Sequence, residues 1–159
     1  MKIIVFSDSH GDVAAMASVL RAESADAVIH LGDHIDDARE LRRMFPSMTF
    51  HLVAGNTDGR HEKDTEAVLS LGDRRVLITH GHYYDVKRTY AEVRRRGRAE
   101  GADAVLFGHT HIPHIGDEDG VRLMNPGTIG RRGSRVTYGV LEIGADDVRC
   151  EVIEGVYTS

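Results

Sequence analysis

Short apolar runs separated by turn-type residues set the pattern of this chain. Residues 2–6 form a strand-like run, and after Asp12 the residues Val13, Met16, Ala17 and Leu20 recur at helical spacing. A second strand is predicted at 27–31, an amphipathic helix at 37–45 closed by Pro46, and a third strand at 49–54. This βαβαβ opening implies a parallel sheet core. Runs at 67–71 and 75–79 flank Gly72-Asp73, a hairpin signal whose antiparallel pair would make that sheet mixed. A helix is expected over 86–99, with Val86, Tyr90 and Val93 as its inner face, and a strand at 104–107. Beyond it the pattern is β-rich. Runs at 114–116 and 121–124 flank an acidic turn, and runs at 136–143 and 148–153 flank Gly144-Ala145-Asp146-Asp147. This tail is read as a second antiparallel sheet packed on the first. The pattern has no linker, internal repeat or low-complexity stretch, so residues 1–159 are read as one domain.

Five of the apolar runs end on polar residues beside glycine: Asp8-Ser9-His10-Gly11, Gly32-Asp33, Gly55-Asn56, Thr79-His80-Gly81 and Gly108-His109-Thr110-His111. In α/β folds the residues just past the carboxyl ends of strands share one crevice, so these tips are expected to converge. Taken singly each has a plainer reading. A Gly-Asp or Gly-Asn after a strand is usually a turn, and a lone histidine is usually a hydrogen-bonded one. The pairs Asp8-x-His10 and His109-x-His111 say more, because residues two apart in an extended segment point the same way.

Together the tips bring Asp8, Asp33, His10, His80, His109, His111 and Asn56 to one place. That is too many ligands for a single zinc, which takes about four. Two hydrolytic metals roughly 3.5–4 Å apart need about this number, with one carboxylate bridging. The mixed oxygen and nitrogen set without cysteine suits manganese, nickel, zinc, iron or cobalt better than magnesium or calcium.

These segments, followed by Asn125-Pro126-Gly127-Thr128, resemble the motifs of the calcineurin-like metallophosphoesterase superfamily, in particular its small bacterial and archaeal phosphodiesterase branch. The resemblance covers nearly the whole chain. It implies an α/β fold, a four-layer α/β/β/α sandwich of two mixed β-sheets flanked by helices. It also implies two divalent metal ions per chain, manganese first among those named. Asp8, His10 and His111 would hold one metal, Asn56, His80 and His109 the other, and Asp33 would bridge them. Catalysis would fall to the metal-activated water with Asp33, Asn56 and His80, hydrolysing a small or nucleotide-like phosphodiester. The alternatives are a phosphomonoesterase and a non-catalytic scaffold like the retromer subunit that shares this fold.

The sequence departs from the wider superfamily at Thr57, where many members carry histidine. A threonine hydroxyl is a poor general acid at neutral pH. Proton delivery is left open between His82, His34 and a bound water, and each histidine reads equally well as a solvated loop residue. Esters with acidic leaving groups should therefore be the better substrates. Two basic features also stay open. Arg88, Arg94, Arg95, Arg96 and Arg98 read first as a solvated helix face, while Arg131 and Arg132 either grip phosphate oxygens or are solvated. Tyr83 and Tyr84 either wall the pocket or pack.

Composition narrows the classes. The 159 residues, 41% hydrophobic, suffice for a real core. A net charge of −5 disfavours nucleic acid as a stable partner and an anionic membrane surface. The single cysteine, Cys150, cannot form an internal disulfide, and no segment reads as a signal peptide or membrane span, so a cytoplasmic location is expected. A small phosphoester is the expected partner, with a homo-oligomer, dimer or tetramer, expected from the resemblance and base rates.

Overall fold

The computed structural model describes residues 1–130 and 136–155. Ten strands and three helices run in the order β1 (Lys2–Phe6), α1 (Val13–Ala22), β2 (Ala27–His30), α2 (Ile35–Met44), β3 (Thr49–Leu52), β4 (Glu66–Leu71), β5 (Arg74–Thr79), α3 (Ala91–Ala99), β6 (Ala104–Leu106), β7 (His114–Glu118), β8 (Val121–Asn125), β9 (Thr137–Ile143) and β10 (Val148–Glu154) among the described residues. They form two five-stranded sheets, β10-β9-β1-β2-β3 and β4-β5-β6-β8-β7. In the first, β1, β2 and β3 are parallel and β9 and β10 antiparallel. In the second, β5, β6 and β8 are parallel and β4 and β7 antiparallel.

Alternation along the strands builds the four layers. Ile3 and Val5 of β1 point between the sheets, where they meet Ile29, Val76, Ile78, Leu106 and Leu141. Ile4 and Phe6 point outward and pack on Met16, Val19 and Leu20 of α1 and Leu41 of α2. On the far side Leu77, Val105 and Leu123 receive Val93 of α3. The architecture is the α/β/β/α sandwich of two mixed sheets that the resemblance implied.

Three expectations from pattern alone are corrected. The hairpin β4–β5 does not join the first sheet: β5 pairs parallel with β6, Val76 opposite Ala104, and starts the second sheet. The tail is not one sheet either. Hairpin β7–β8 extends the second sheet through β6, and hairpin β9–β10 extends the first through β1, Ile3 opposite Leu141. Turn chemistry fixes which strands form a hairpin, but the strand that receives the hairpin is chosen by distant packing. Finally, the helix expected over 86–99 begins only at Ala91. Asp85 takes a positive φ of 53°, and its carbonyl accepts the N–H groups of Arg88 and Thr89, so the chain reverses before α3 starts.

Candidate metal centre

Five strands end shortly before the polar tips read from the sequence. β1 leads into Asp8 and His10, β2 into Asp33, β3 into Asn56, β5 into His80, and β6 into His109 and His111. The donor atoms gather in two groups, Asp8 with His10 and His111, and Asp33 with His80 and His109, each within 4.8 Å internally. Each group takes members from both sheets. His80 joins the two, its Nε2 lying 3.4 Å from Asp33 Oδ1 and 3.9 Å from Asp8 Oδ1. Asn56 is exposed on the loop after β3, between Gly55, which is packed against Asp33, and Thr57, whose N–H donates to Asp33 Oδ1 at 3.1 Å.

The loops that carry these side chains are wound in an unusual sense. Eight described non-glycine residues have positive φ, and Asp8, His10, Asp33, His34, His109 and His111 are six of them. Asp and His tolerate this region better than most residues, but each such position still costs about 1–3 kcal/mol.

Side chains outside the two donor groups hold that backbone. Asp58 accepts three N–H groups, from Asp33 at 2.9 Å, Ile35 at 2.8 Å and Gly55 at 2.8 Å, and so ties the Asp33 loop to the Asn56 loop. Asp37 accepts the Gly11 N–H at 2.7 Å and the Ser9 hydroxyl at 2.8 Å. Buried His30 accepts the Gly32 N–H at Nδ1, so its Nε2 carries the proton toward Ser9 Oγ at 3.0 Å. Thr128 donates to the Asp8 carbonyl at 2.7 Å, which places the Asn125-Pro126-Gly127-Thr128 motif behind the first loop. Asp37 and His30 escaped the sequence reading, one inside a helix pattern and the other inside an apolar run.

The donor groups have the chemistry of a cation site. His80 Nδ1 donates to the Leu31 carbonyl at 2.8 Å, which leaves Nε2 facing Asp33 and His109 Nδ1, the latter at 3.2 Å. His10 and His111 similarly oppose their Nε2 atoms at 3.3 Å, with Asp8 Oδ1 3.1 Å from His111. One proton satisfies only one of these contacts at a time, whereas a divalent cation satisfies several lone pairs together. Burial opposes charge on Asp8 and Asp33, yet histidine hydrogen bonds and positive charge outweigh it and hold both carboxyls below their usual range. For His80 burial likewise favours the neutral ring, but Asp33 and Asp8 prevail and raise its proton affinity. His109 is pushed down to about 4 by burial and by His80, which keeps its lone pair free.

The sequence profile of the calcineurin-like phosphoesterase superfamily domain matches residues 1–146. The chain belongs to this superfamily. A probable metallophosphoesterase of Bacillus subtilis, YsnB, is 34% identical over 132 residues, spanning 81% of this chain and 75% of the relative. The phosphodiesterase MJ0936 of Methanocaldococcus jannaschii is 26% identical and spans 97% of this chain and all of its own, 100%. Among solved structures, a conserved Streptococcus pneumoniae protein described as a predicted phosphoesterase superposes with a TM-score of 0.75 at 27% identity, covering 97% of both chains. Vps29 of Entamoeba histolytica, crystallised with zinc, gives the same TM-score of 0.75 at 19% identity, covering 97% of this chain and 99% of its own, and shares the fold.

The other residues of this superfamily member singled out by sequence resolve as follows. His34 and His82 border the groups, their rings 4.9 Å from His10 and 5.4 Å from His80. Of the arginines in the α3 region, Arg88, Arg95 and Arg98 are exposed, whereas Arg94 and Arg96 are half-buried in ion pairs with Glu118 and Glu66. Arg131 and Arg132 lie outside the described residues. No helix among the described residues is long and apolar enough to cross a membrane.

The buried His30 gives a testable pH dependence. Burial holds its folded pKa at about 4, against about 6.5 for the unfolded chain. The unfolded state therefore takes up a proton that the folded state refuses, and stability present above pH 6.5 is lost as pH falls toward 4. The loss amounts to about 3 kcal/mol. Urea unfolding of metal-free protein between pH 7 and 4 should show this decline, and His30→Gln should flatten it. An equal decline in the variant would remove His30 as its source.

Proposed function

We propose that this protein is a dinuclear metal-dependent phosphodiesterase acting on small or nucleotide-like phosphodiesters. The observation that carries this reading is the pair of adjacent donor groups, joined through His80 and Asp33, in a member of a phosphoesterase superfamily. Asp8, His10 and His111 would hold one ion and Asn56, His80 and His109 the other, with Asp33 between them. Two divalent ions in such a site lower the pKa of water from 15.7 toward about 7 and neutralise charge on a phosphoryl group.

The protein's part is positional. Asp58, Asp37 and the His30–Ser9 pair fix the loops, so the ligand geometry is set before substrate arrives. The His80 Nδ1 bond to Leu31 fixes which ring nitrogen faces the site. Thr57 offers a hydroxyl beside Asp33 but no strong acid, so leaving groups that depart without full protonation are favoured. Manganese is the first ion to try; nickel, zinc, iron and cobalt suit the same donors.

The test is reconstitution. Metal-stripped protein is assayed with added manganese, nickel, zinc or magnesium on bis(p-nitrophenyl) phosphate and on p-nitrophenyl phosphate, beside His109→Ala. Restored diester hydrolysis, lost in the variant, supports the proposal. Preference for the monoester would favour the phosphatase alternative. With about two ions bound per chain and neither ester cleaved, the general phosphodiesterase reading is sunk.

A further inference from the structure

The strap that joins β5 to α3 carries two exposed side chains that the metal centre does not use. It opens with a single 3-10 turn, His82–Tyr84. Tyr84 turns inward, donating its hydroxyl to Glu66 at 2.5 Å and packing at the edge of the cluster around Leu77 and Val93. Tyr83 turns outward and is 74% exposed. Its ring lies on that of His82 with centroids 4.1 Å apart, and the His82 ring is 5.4 Å from His80 and 6.2 Å from His109. His82 Nδ1 is buried without a hydrogen bond, so neighbouring rings do much to fix its place. A large, open aromatic face thus stands one ring away from the second donor group. The exposed ring is free to stack on a flat partner.

Lys87 stands on the same strap. Val86, before it, is buried beside Phe107, and a Cβ added to Gly81 would lie 3.1 Å from its Cγ2. Val86 therefore pins the strap against Gly81, one residue after His80, and Phe107, two before His109. All seven arginines from Arg74 to Arg98 are ion-paired. Lys87 is exposed and has no ion pair among the described residues.

We propose that Tyr83 and Lys87 form the substrate-recognition subsite, Tyr83 stacking a flat base and Lys87 holding a further anionic group of a nucleotide-like substrate. The inference rests on the phosphoesterase reading above and deepens it. Stacking on an open aromatic ring accepts any base, because every base has a π-face. Lysine binds phosphate as a point charge and needs no fixed geometry. A molecule that offers both a flat ring and more than one phosphate is a nucleotide.

Calorimetric titration of manganese-loaded protein with ribose 5-phosphate, adenosine monophosphate and adenosine diphosphate separates the two contacts. In the wild type the adenine ring should tighten binding about tenfold, and the second phosphate about threefold to tenfold. Tyr83→Ala should lose the first increment and keep the second, Tyr83→Phe should keep both, and Lys87→Met should lose only the second. Both side chains are exposed, so melting should match the wild type in each variant. The proposal is overturned if both increments survive in both variants. It is also overturned if the wild type shows neither increment while hydrolysing bis(p-nitrophenyl) phosphate, and the phosphodiesterase reading then stands. Selective losses without hydrolysis would keep the subsite and overturn the enzyme.

Discussion

Asp33→Ala, loaded with manganese and assayed on bis(p-nitrophenyl) phosphate, is expected to retain less than about one-hundredth of wild-type turnover. Removing an outer partner of a metal ligand costs about 10–100-fold, and Asp33 stands between the two donor groups. Its side chain is buried, receives the Thr57 N–H at 3.1 Å and faces His80 at 3.4 Å, and its charge supports the proton affinity of His80. Without it, His80 and His109 lose the carboxylate of their own donor group, and the nearest remaining anion is Asp8, 3.9 Å from His80 Nε2. Bound manganese, measured by elemental analysis, should fall from about two ions per chain to about one or fewer. Asp33→Asn keeps the acceptor for Thr57 and removes the charge, so it separates loss of ligation from loss of shape. Full metal content and turnover in Asp33→Ala would contradict the bridging assignment.

Gly55→Ala should be nearly as damaging although it removes no ligand. A Cβ at this position would lie 2.2 Å from Asp33 Oδ1 and 2.6 Å from the Asp33 backbone nitrogen. The side-chain contact could be relieved by rotating the carboxylate out of the site; the backbone contact could not. Forcing the loops apart would also break the Asp58 bonds to Asp33 and Gly55. Overpacking of this kind costs about 1–3 kcal/mol, and for a domain of this size 3 kcal/mol lowers the melting temperature by roughly 6–12 °C. We expect both that shift by calorimetry and a loss of diester hydrolysis approaching that of Asp33→Ala. A variant with wild-type melting and turnover would show that the two loops are free to separate.

The two donor groups were legible because their residues sit just past apolar runs, and a strand ending in Gly-His or Gly-Asp can be seen without knowing its neighbours. The parallel order of β1, β2 and β3 was legible for a related reason, since α1 and α2 supply the crossovers locally. The placement of β4–β5 and of the two terminal hairpins was not. Leu71, Met124 and Val148 are all buried in the inner layer, and nothing in their own segments says which sheet presents them there. Asp58 shows the same limit at the site. It enters the sequence as the last residue of Gly55-Asn56-Thr57-Asp58, and its three bonds reach Gly55 nearby but Asp33 and Ile35 more than twenty residues away. The Arg88–Arg98 stretch was legible only in part: Arg95 pairs locally with Glu92, as helix spacing allows, but Arg94 and Arg96 are half-buried and reach Glu118 and Glu66, partners that the helix pattern does not name.

Each donor group draws on both sheets, so ions held there would do more than supply chemistry. His111 and Asp8, 103 residues apart in sequence, would share one ion, as Asp33 of the first sheet and His80 of the second would share the other. An ion held in this way is a staple across the sandwich seam. In the chain-entropy treatment of a covalent staple, a loop of about 100 residues is worth about 4.7 kcal/mol. Cys150, the only cysteine in this sequence, offers no internal disulfide to supply such a staple. The metal pair would take that part, as a fastener that a chelator can undo and a new ion can close again.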